Sequence, residues 1–203
     1  MKTIIRLFSS FFGFFNKFKT SFPPVSDTDI GDPDEVWFAN DTTHKTYGRI
    51  ISMRPEKVRE LGLKYCGSGS YASVYKVGEA VVKTAIDTDP AYQNFLRLAL
   101  KRQNNPFFPK VFAVGFHCGR HIVVMERLGP LPRDGGLLPV LGQESPIKTL
   151  KRKTVRDAYM KNKKAFRQLV NDLKTLCIDH DYDLHGDNVM LRGSQLVVID
   201  PVC

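Results

Sequence analysis

Apolar residues recur at three- and four-residue intervals over the first 22 positions. Ile4, Ile5, Phe8, Phe11, Phe12, Phe15, Phe18 and Phe22 fill one side, and Lys2, Arg6, Ser9, Gly13, Asn16, Lys17 and Thr20 the other. That period predicts an amphipathic helix over residues 1–22 with an aromatic face and cationic edges. Ser9, Ser10 and Gly13 break the apolar stretch, and Lys17 and Lys19 follow it without a small-residue cleavage site, which fits a secretory signal poorly. Three readings stay open: an interfacial membrane helix, a helix docked on the protein's own core or a partner, and a cleaved signal. Residues 23–35, PPVSDTDIGDPDE, are acidic and rich in proline and read as a linker. Residues 36–53 carry Trp37, Phe38, Tyr47, Ile50 and Ile51 without a clear period, so 23–60 is taken as linker and N-terminal extension. Within it, Pro55 to Leu61 predicts a short helix with Pro55 in its first turn and Gly62 as its stop.

From Leu63 the pattern becomes that of strands. Leu63–Cys66, Ser73–Val77 and Ala80–Lys83 predict three short antiparallel strands, with a glycine loop after the first and Val77-Gly78-Glu79 near the second turn. Asp89-Pro90 predicts a helix start, and Tyr92, Phe95, Leu96 and Ala99 fall on one face of that helix. Two further strands follow, Val111–Phe116 and His121–Met125. A Gly- and Pro-rich connection covers 129–146, and a long basic helix runs over Thr149–Cys177. A loop, Asp181–Asn188, and two short strands around Val189–Leu191 and Leu196–Ile199 close the chain.

Composition changes this picture little. At 203 residues, 42% apolar and 25% charged, the chain is an ordinary globular one. No run of about 20 apolar residues predicts a spanning helix. The net charge of +9 favours acidic partners such as phosphate groups, anionic lipid or nucleic acid. The basic stretch from Lys148 to Arg167 reads by default as a solvated helix face, and no aromatic interleaving accompanies it, so no specific nucleic acid is expected. Cys66, Cys118, Cys177 and Cys203 show no CxxC pair or zinc spacing and read as reduced thiols of a cytoplasmic protein, mostly packing as small apolar residues.

Candidate chemistry sits at five points. Gly67-Ser68-Gly69-Ser70-Tyr71-Ala72-Ser73-Val74 has the form GxGxxAxV, whose glycines let backbone N–H groups approach phosphate oxygens. Lys83 ends the apolar strand Ala80-Val81-Val82-Lys83, and Val124–Leu128 reads VMERL. Asp183-Leu184-His185-Gly186-Asp187-Asn188 sets Asp and Asn five apart, and Asp200 ends the apolar strand Leu196-Val197-Val198-Ile199. Carboxylate and amide oxygens are the hard ligands that Mg²⁺ takes while it also holds substrate phosphates. In this order the motifs resemble the signature of the protein-kinase-like fold over about residues 61–202. The DLHGDN and IDP variants are most similar to bacteriophage-encoded (podophage early) serine/threonine kinases, with aminoglycoside-phosphotransferase-like DxHxxN and IDP motifs.

The resemblance implies an α+β, two-lobed fold. It would have a five-stranded antiparallel N-lobe with one helix (61–128) and a truncated, mainly helical C-lobe (129–203). It implies ATP and Mg²⁺ as cofactors and a protein substrate carrying a Ser/Thr hydroxyl. Gly67, Gly69 and the backbone around Tyr71 would cover the phosphates, Val74 would cap the adenine, and Lys83 would hold the α/β-phosphates. Met125 would back the adenine pocket, with Glu126 and Leu128 offering hinge backbone groups. Asp183 would orient the acceptor hydroxyl and receive its proton, and Asn188 and Asp200 would bind the metal. The sequence departs from the family's pattern in three places: Ala72 replaces a glycine, no Glu lies between Lys83 and Glu126, and the chain as given ends three residues after Asp200. Gln93, Asp87 and Asp89 are the candidates to take the missing glutamate's place beside Lys83. A C-terminal lobe so small buries little for its size, so residues 1–60 are expected to pack onto it or to tie it to a partner or membrane. The alternatives are a pseudokinase acting as a partner-binding module, and a small-molecule phosphotransferase suggested by His185.

Overall fold

The computed structural model describes residues 34–69, 71–85, 90–130, 161–176 and 188–201. The helix expected over 1–22, most of the 23–35 linker and most of the 129–146 connection lie outside the described residues. So do the first part of the 149–177 helix, Asp183 and His185.

Six strands form one antiparallel sheet: β1 (Glu35–Phe38), β2 (Lys64–Ser68), β3 (Ala72–Val77), β4 (Ala80–Ala85), β5 (Val111–His117) and β6 (Arg120–Glu126), in the order β1-β5-β6-β4-β3-β2. Between β1 and β2 come helix α1 (Asp41–Ile51) and a 3₁₀ helix (Pro55–Leu61). Helix α2 (Pro90–Lys101) joins β4 to β5, and α3 is Lys163–Leu176. A second sheet holds β7 (Gly129–Pro130), β8 (Val189–Arg192) and β9 (Gln195–Val198).

β5 and β6 read as nearly continuous apolar runs because both faces of the large sheet are covered. On one face Ile122, Val124, Val82 and Ala80 pack with Ile50, Ile51, Met53, Val58 and Leu61 of α1 and the 3₁₀ segment. On the other, Val114, Val123 and Met125 pack with Tyr92, Phe95 and Leu96 of α2. Leu169 and Leu173 of α3 and Val189, Leu196 and Val198 of the β8–β9 hairpin join the same cluster. Leu169 and Leu173 stand four apart on one stripe of α3, while Lys163, Lys164, Arg167 and Lys174 are exposed, the arrangement of a helix with one buried face. Among the described residues, no helix is long and apolar enough to cross a membrane.

The α+β class holds, with one strand more than the five expected. β1 adds to the edge of β5 in the register Trp37↔Val114. The stretch 36–53 therefore forms a strand and a helix. Helix α1 starts at a capping box: Thr43 N–H donates to the Asn40 side-chain oxygen, and Asn40 N–H to Thr43 Oγ1, both at 3.0 Å. Within residues 35–61, Ile50, Ile51, Met53, Val58 and Leu61 cover one face of the large sheet, while Trp37 lies against the cluster on the other face that includes α3 and the β8–β9 hairpin. The 3₁₀ helix stops at Gly62 with φ +65°, a left-handed conformation in which glycine carries no steric penalty. Cys66 and Cys118, expected as packing residues, are exposed.

Candidate functional site

The register of the large sheet sets one row of residues across all six strands: Gly67, Val74, Lys83, Val123, Val114 and Trp37. Residues paired across a ladder share a face, so Val74, Lys83 and, one row on, Val81 and Met125 point to the side where α2 and α3 pack. Three candidates read from separate motifs are thus placed on one surface by strand pairing.

Lys83 is the centre of this surface. Its Nζ donates to Asp200 Oδ2 at 2.7 Å, with the two side chains 15% and 26% exposed. The same Nζ lies 3.5 Å from the centre of the Tyr92 ring. Tyr92 is buried on α2, with its ring 6.1 Å from Phe95 and 4.9 Å from His121. His121 is itself buried, and burial followed by the charge of Lys83 lowers its pKa to about 3, so the imidazole is neutral. Among the described residues, no hydrogen-bond partner reaches either of its ring nitrogens.

The β8–β9 hairpin delivers Asp200. Val189 pairs with Val198, and Ile199 N–H donates to Asn188 O at 2.9 Å. Asn188 and Asp200 therefore stand at the same end of the hairpin. Val198 N–H donates to Phe107 O at 2.9 Å, which ties this hairpin to the turn before β5. A second tie is Arg192. Its Nε donates to Glu126 Oε2 at 2.7 Å and its Nη2 to Glu126 Oε1, while Nη1 and Nη2 donate to Pro106 O and Phe108 O, each at 3.0 Å. Glu126 Oε1 also accepts from Lys110 N–H at 2.7 Å.

In the glycine loop, Gly67 has φ +156° beside a bulge against β3, a backbone that side-chain-bearing residues rarely adopt. Gly69 N–H donates to Ala72 O at 3.0 Å, so this group closes the hairpin turn. Tyr71 is exposed at the tip. Met125 is buried in the sheet and Leu128 half-buried. The hinge role expected of Glu126 is narrowed, because its N–H donates to Lys110 O at 2.9 Å and its carboxylate is held by Arg192.

The structure brings Val74, Lys83, Met125, Asn188 and Asp200 to one side of the molecule, while Asp183 lies outside the described residues. Among the described residues the partners of Lys83 are the Tyr92 ring and Asp200, and neither Gln93 nor a carboxylate of α2 takes the place of the missing helix glutamate. Asp87 and Asp89 lie outside the described residues. Sequence reasoning missed Tyr92, His121 and Arg192. Tyr92 was visible as an apolar-face position of α2, and nothing in the sequence marked its ring as a cation partner.

The donor chemistry suits Mg²⁺. Asp200 brings a carboxylate and Asn188 an amide to the same end of the hairpin, and among the described residues no group of three or more His, Cys, Asp and Glu forms a cage. A sparse set of hard oxygens is what that ion takes when substrate phosphates complete its shell. Neither a protein-family model nor a curated protein matches the chain.

Proposed function

We propose that the chain is an ATP- and Mg²⁺-dependent phosphotransferase of the protein-kinase-like fold, a minimal serine/threonine kinase acting on a protein hydroxyl. One observation carries this reading: Lys83 and Asp200, 117 positions apart, meet at 2.7 Å on the face that also presents Val74 and Met125. Phosphoryl transfer depends on positioned positive charge and a metal more than on covalent catalysis, and this is the arrangement such chemistry needs. The sheet supports it as well. The five strands β2 to β6 and the single helix α2 make up the unit expected of an N-lobe, and α3 with the β8–β9 hairpin follows it.

On this reading the β2–β3 loop covers the phosphates, Lys83 holds the α/β-phosphates, and Val74 and Met125 border the adenine. Asp183 orients the acceptor hydroxyl. Asn188 and Asp200 would hold Mg²⁺, which neutralises charge on the transferred group when bound.

A second reading, a nucleotide-binding pseudokinase, is favoured by the aromatic ring at the place of the expected glutamate beside Lys83. One experiment separates the two. The full chain is incubated with γ-labelled ATP and Mg²⁺ beside Lys83→Ala and Asp183→Asn. Transfer to protein that both variants lose, by at least about a hundredfold for a positioned acid–base group, is the expected result. Binding of ATP without transfer favours the pseudokinase, and no binding refutes both.

A further inference from the structure

The contact between Lys83 and Tyr92 does something that the kinase-like pattern does not include. A strand lysine that must keep its ammonium aimed at phosphates needs a partner on the neighbouring helix, and the usual partner is a carboxylate. No Glu occurs between Lys83 and Glu126. On α2 the side chain that reaches Lys83 is Tyr92, whose ring centre is 3.5 Å from Nζ, well inside the distance at which a cation is attracted to an aromatic face.

We propose that Tyr92 is the positioning residue of Lys83: the face of its ring, in place of a carboxylate, holds the ammonium in line with Asp200. The ring is suited to the task. It is buried and wedged between Phe95 and His121, so little side-chain entropy is left to lose. Desolvation strengthens the attraction, because water no longer competes for the ammonium. His121 beside it is neutral and adds no second positive charge. The ring also differs from a glutamate in one respect that matters for nucleotide binding. A carboxylate would neutralise Lys83, whereas a neutral ring orients the ammonium and leaves Asp200 as its anionic contact. When phosphates arrive, Lys83 meets them with Asp200 as its carboxylate contact among the described residues and no second one from α2.

The consequence for ATP rests on the function proposed above, whereas the hold on Lys83 does not, and the test separates the two. A double-mutant cycle between Tyr92→Leu and Lys83→Met is read from urea unfolding of the full chain, with Tyr92→Phe alongside. The expected coupling is about fivefold or more in the unfolding constant, and Tyr92→Phe should behave as the native chain. If Tyr92→Leu does not fold, Tyr92→Met replaces it, since a flexible thioether fills the space without an aromatic face.

A second arm follows trinitrophenylation of the Lys83 amine by trinitrobenzenesulfonate, in which the ring–nitrogen bond forms and sulfite leaves, with mass spectrometry. It should be faster by about fivefold once the ring is removed, as expected from losing a contact of this kind, and unchanged in Tyr92→Phe. Additive effects in the cycle, or a Tyr92→Phe chain that labels as fast as Tyr92→Leu, would overturn the proposal whatever the ATP assay gives. Coupling retained in a native chain that binds no ATP upholds the hold on Lys83 and overturns the kinase-like reading instead.

Discussion

Arg192 offers the sharpest test of how the β8–β9 hairpin is fixed. Its guanidinium makes four hydrogen bonds, two to the Glu126 carboxylate and one each to Pro106 O and Phe108 O. Replacing Arg192 with Ala would leave Glu126, a side chain only 14% exposed, with Lys110 N–H as its one remaining donor among those described. Breaking one side of a fully buried pair costs about 3–5 kcal/mol. Arg192 is 29% exposed, so water recovers part of the loss, and a cost of about 2–3 kcal/mol follows after that discount. In a chain of this size that corresponds to a fall of about 4–12 °C in Tm.

Arg192→Lys should lose about half as much, because an ammonium keeps the charge but cannot bond a carboxylate and two carbonyls at once. Adding Glu126→Gln to Arg192→Ala should recover about 1 kcal/mol by removing the stranded charge. Circular dichroism melts and urea titrations measure all three. If Arg192→Ala costs less than about 0.5 kcal/mol, the size of an exposed pair, the hairpin is not held in this way. A further sign should appear at Lys110, whose pKa is lowered by burial and by the charge of Arg192. It should rise in the variant.

Two other outcomes follow from close packing and burial. Gly115→Ala should destabilise by about 1–3 kcal/mol, since a Cβ there would meet Ile51 O at 2.7 Å, a backbone atom that also accepts from His117 Nε2 at 2.9 Å; an unchanged urea midpoint would show that α1 is free to shift. His121 has a folded pKa of about 3, below the value of about 6.5 in an unfolded chain. The unfolded state therefore binds the extra proton between these limits. The stability that His121 contributes is complete above about 6.5 and is lost as pH falls toward 3, by at most about 1.4 kcal/mol per pH unit. His121→Phe should flatten the fall in urea midpoint over that window, and a profile parallel to the native one would count against a buried neutral imidazole.

What was legible in the sequence was whatever depends on local period. The strands from Lys64 to Ala85 and from Val111 to Glu126 follow from alternation and apolar runs, and α2 from Asp89-Pro90 and the spacing of Tyr92, Phe95, Leu96 and Ala99. β1 was not legible, because four residues carry no period of their own and its burial is created by pairing with β5. Helix α1 was hidden for a related reason. Thr43, Ile50 and Ile51 are its buried residues, too few and too unevenly placed to announce a face, although the Asn40–Thr43 capping box marked its start. At the site, Lys83 and Asp200 could each be picked out from their strand ends. Their contact depends on how the hairpin docks, and Arg192 reads in sequence as an ordinary solvated cation.

Much of the docking converges on one turn of the chain. The turn between α2 and β5 carries many of the described ties to the later elements: Arg102 forks onto Asp172 of α3 at 2.7 and 2.9 Å, and Asn105 Nδ2 donates to Ala165 O at 2.9 Å. Phe107 O accepts from Val198 N–H, and Pro106 O and Phe108 O accept from Arg192. Asn105 is buried, and its own oxygen accepts from Phe107 N–H at 3.0 Å, so the turn is rigid from within. On one side this turn continues α2, which carries Tyr92; on the other it enters β5, which pairs with the strand beside Lys83. The residues around Lys83 are therefore referenced to the same turn by two routes, through the helix to the ring and through the hairpin to Asp200. That shared reference explains how a lysine and an aspartate 117 positions apart, from β4 of one sheet and the end of a hairpin in the other, come to lie at 2.7 Å. It also makes the Arg102–Lys110 segment, which bears none of the proposed catalytic groups, the part of the fold on which their distance depends.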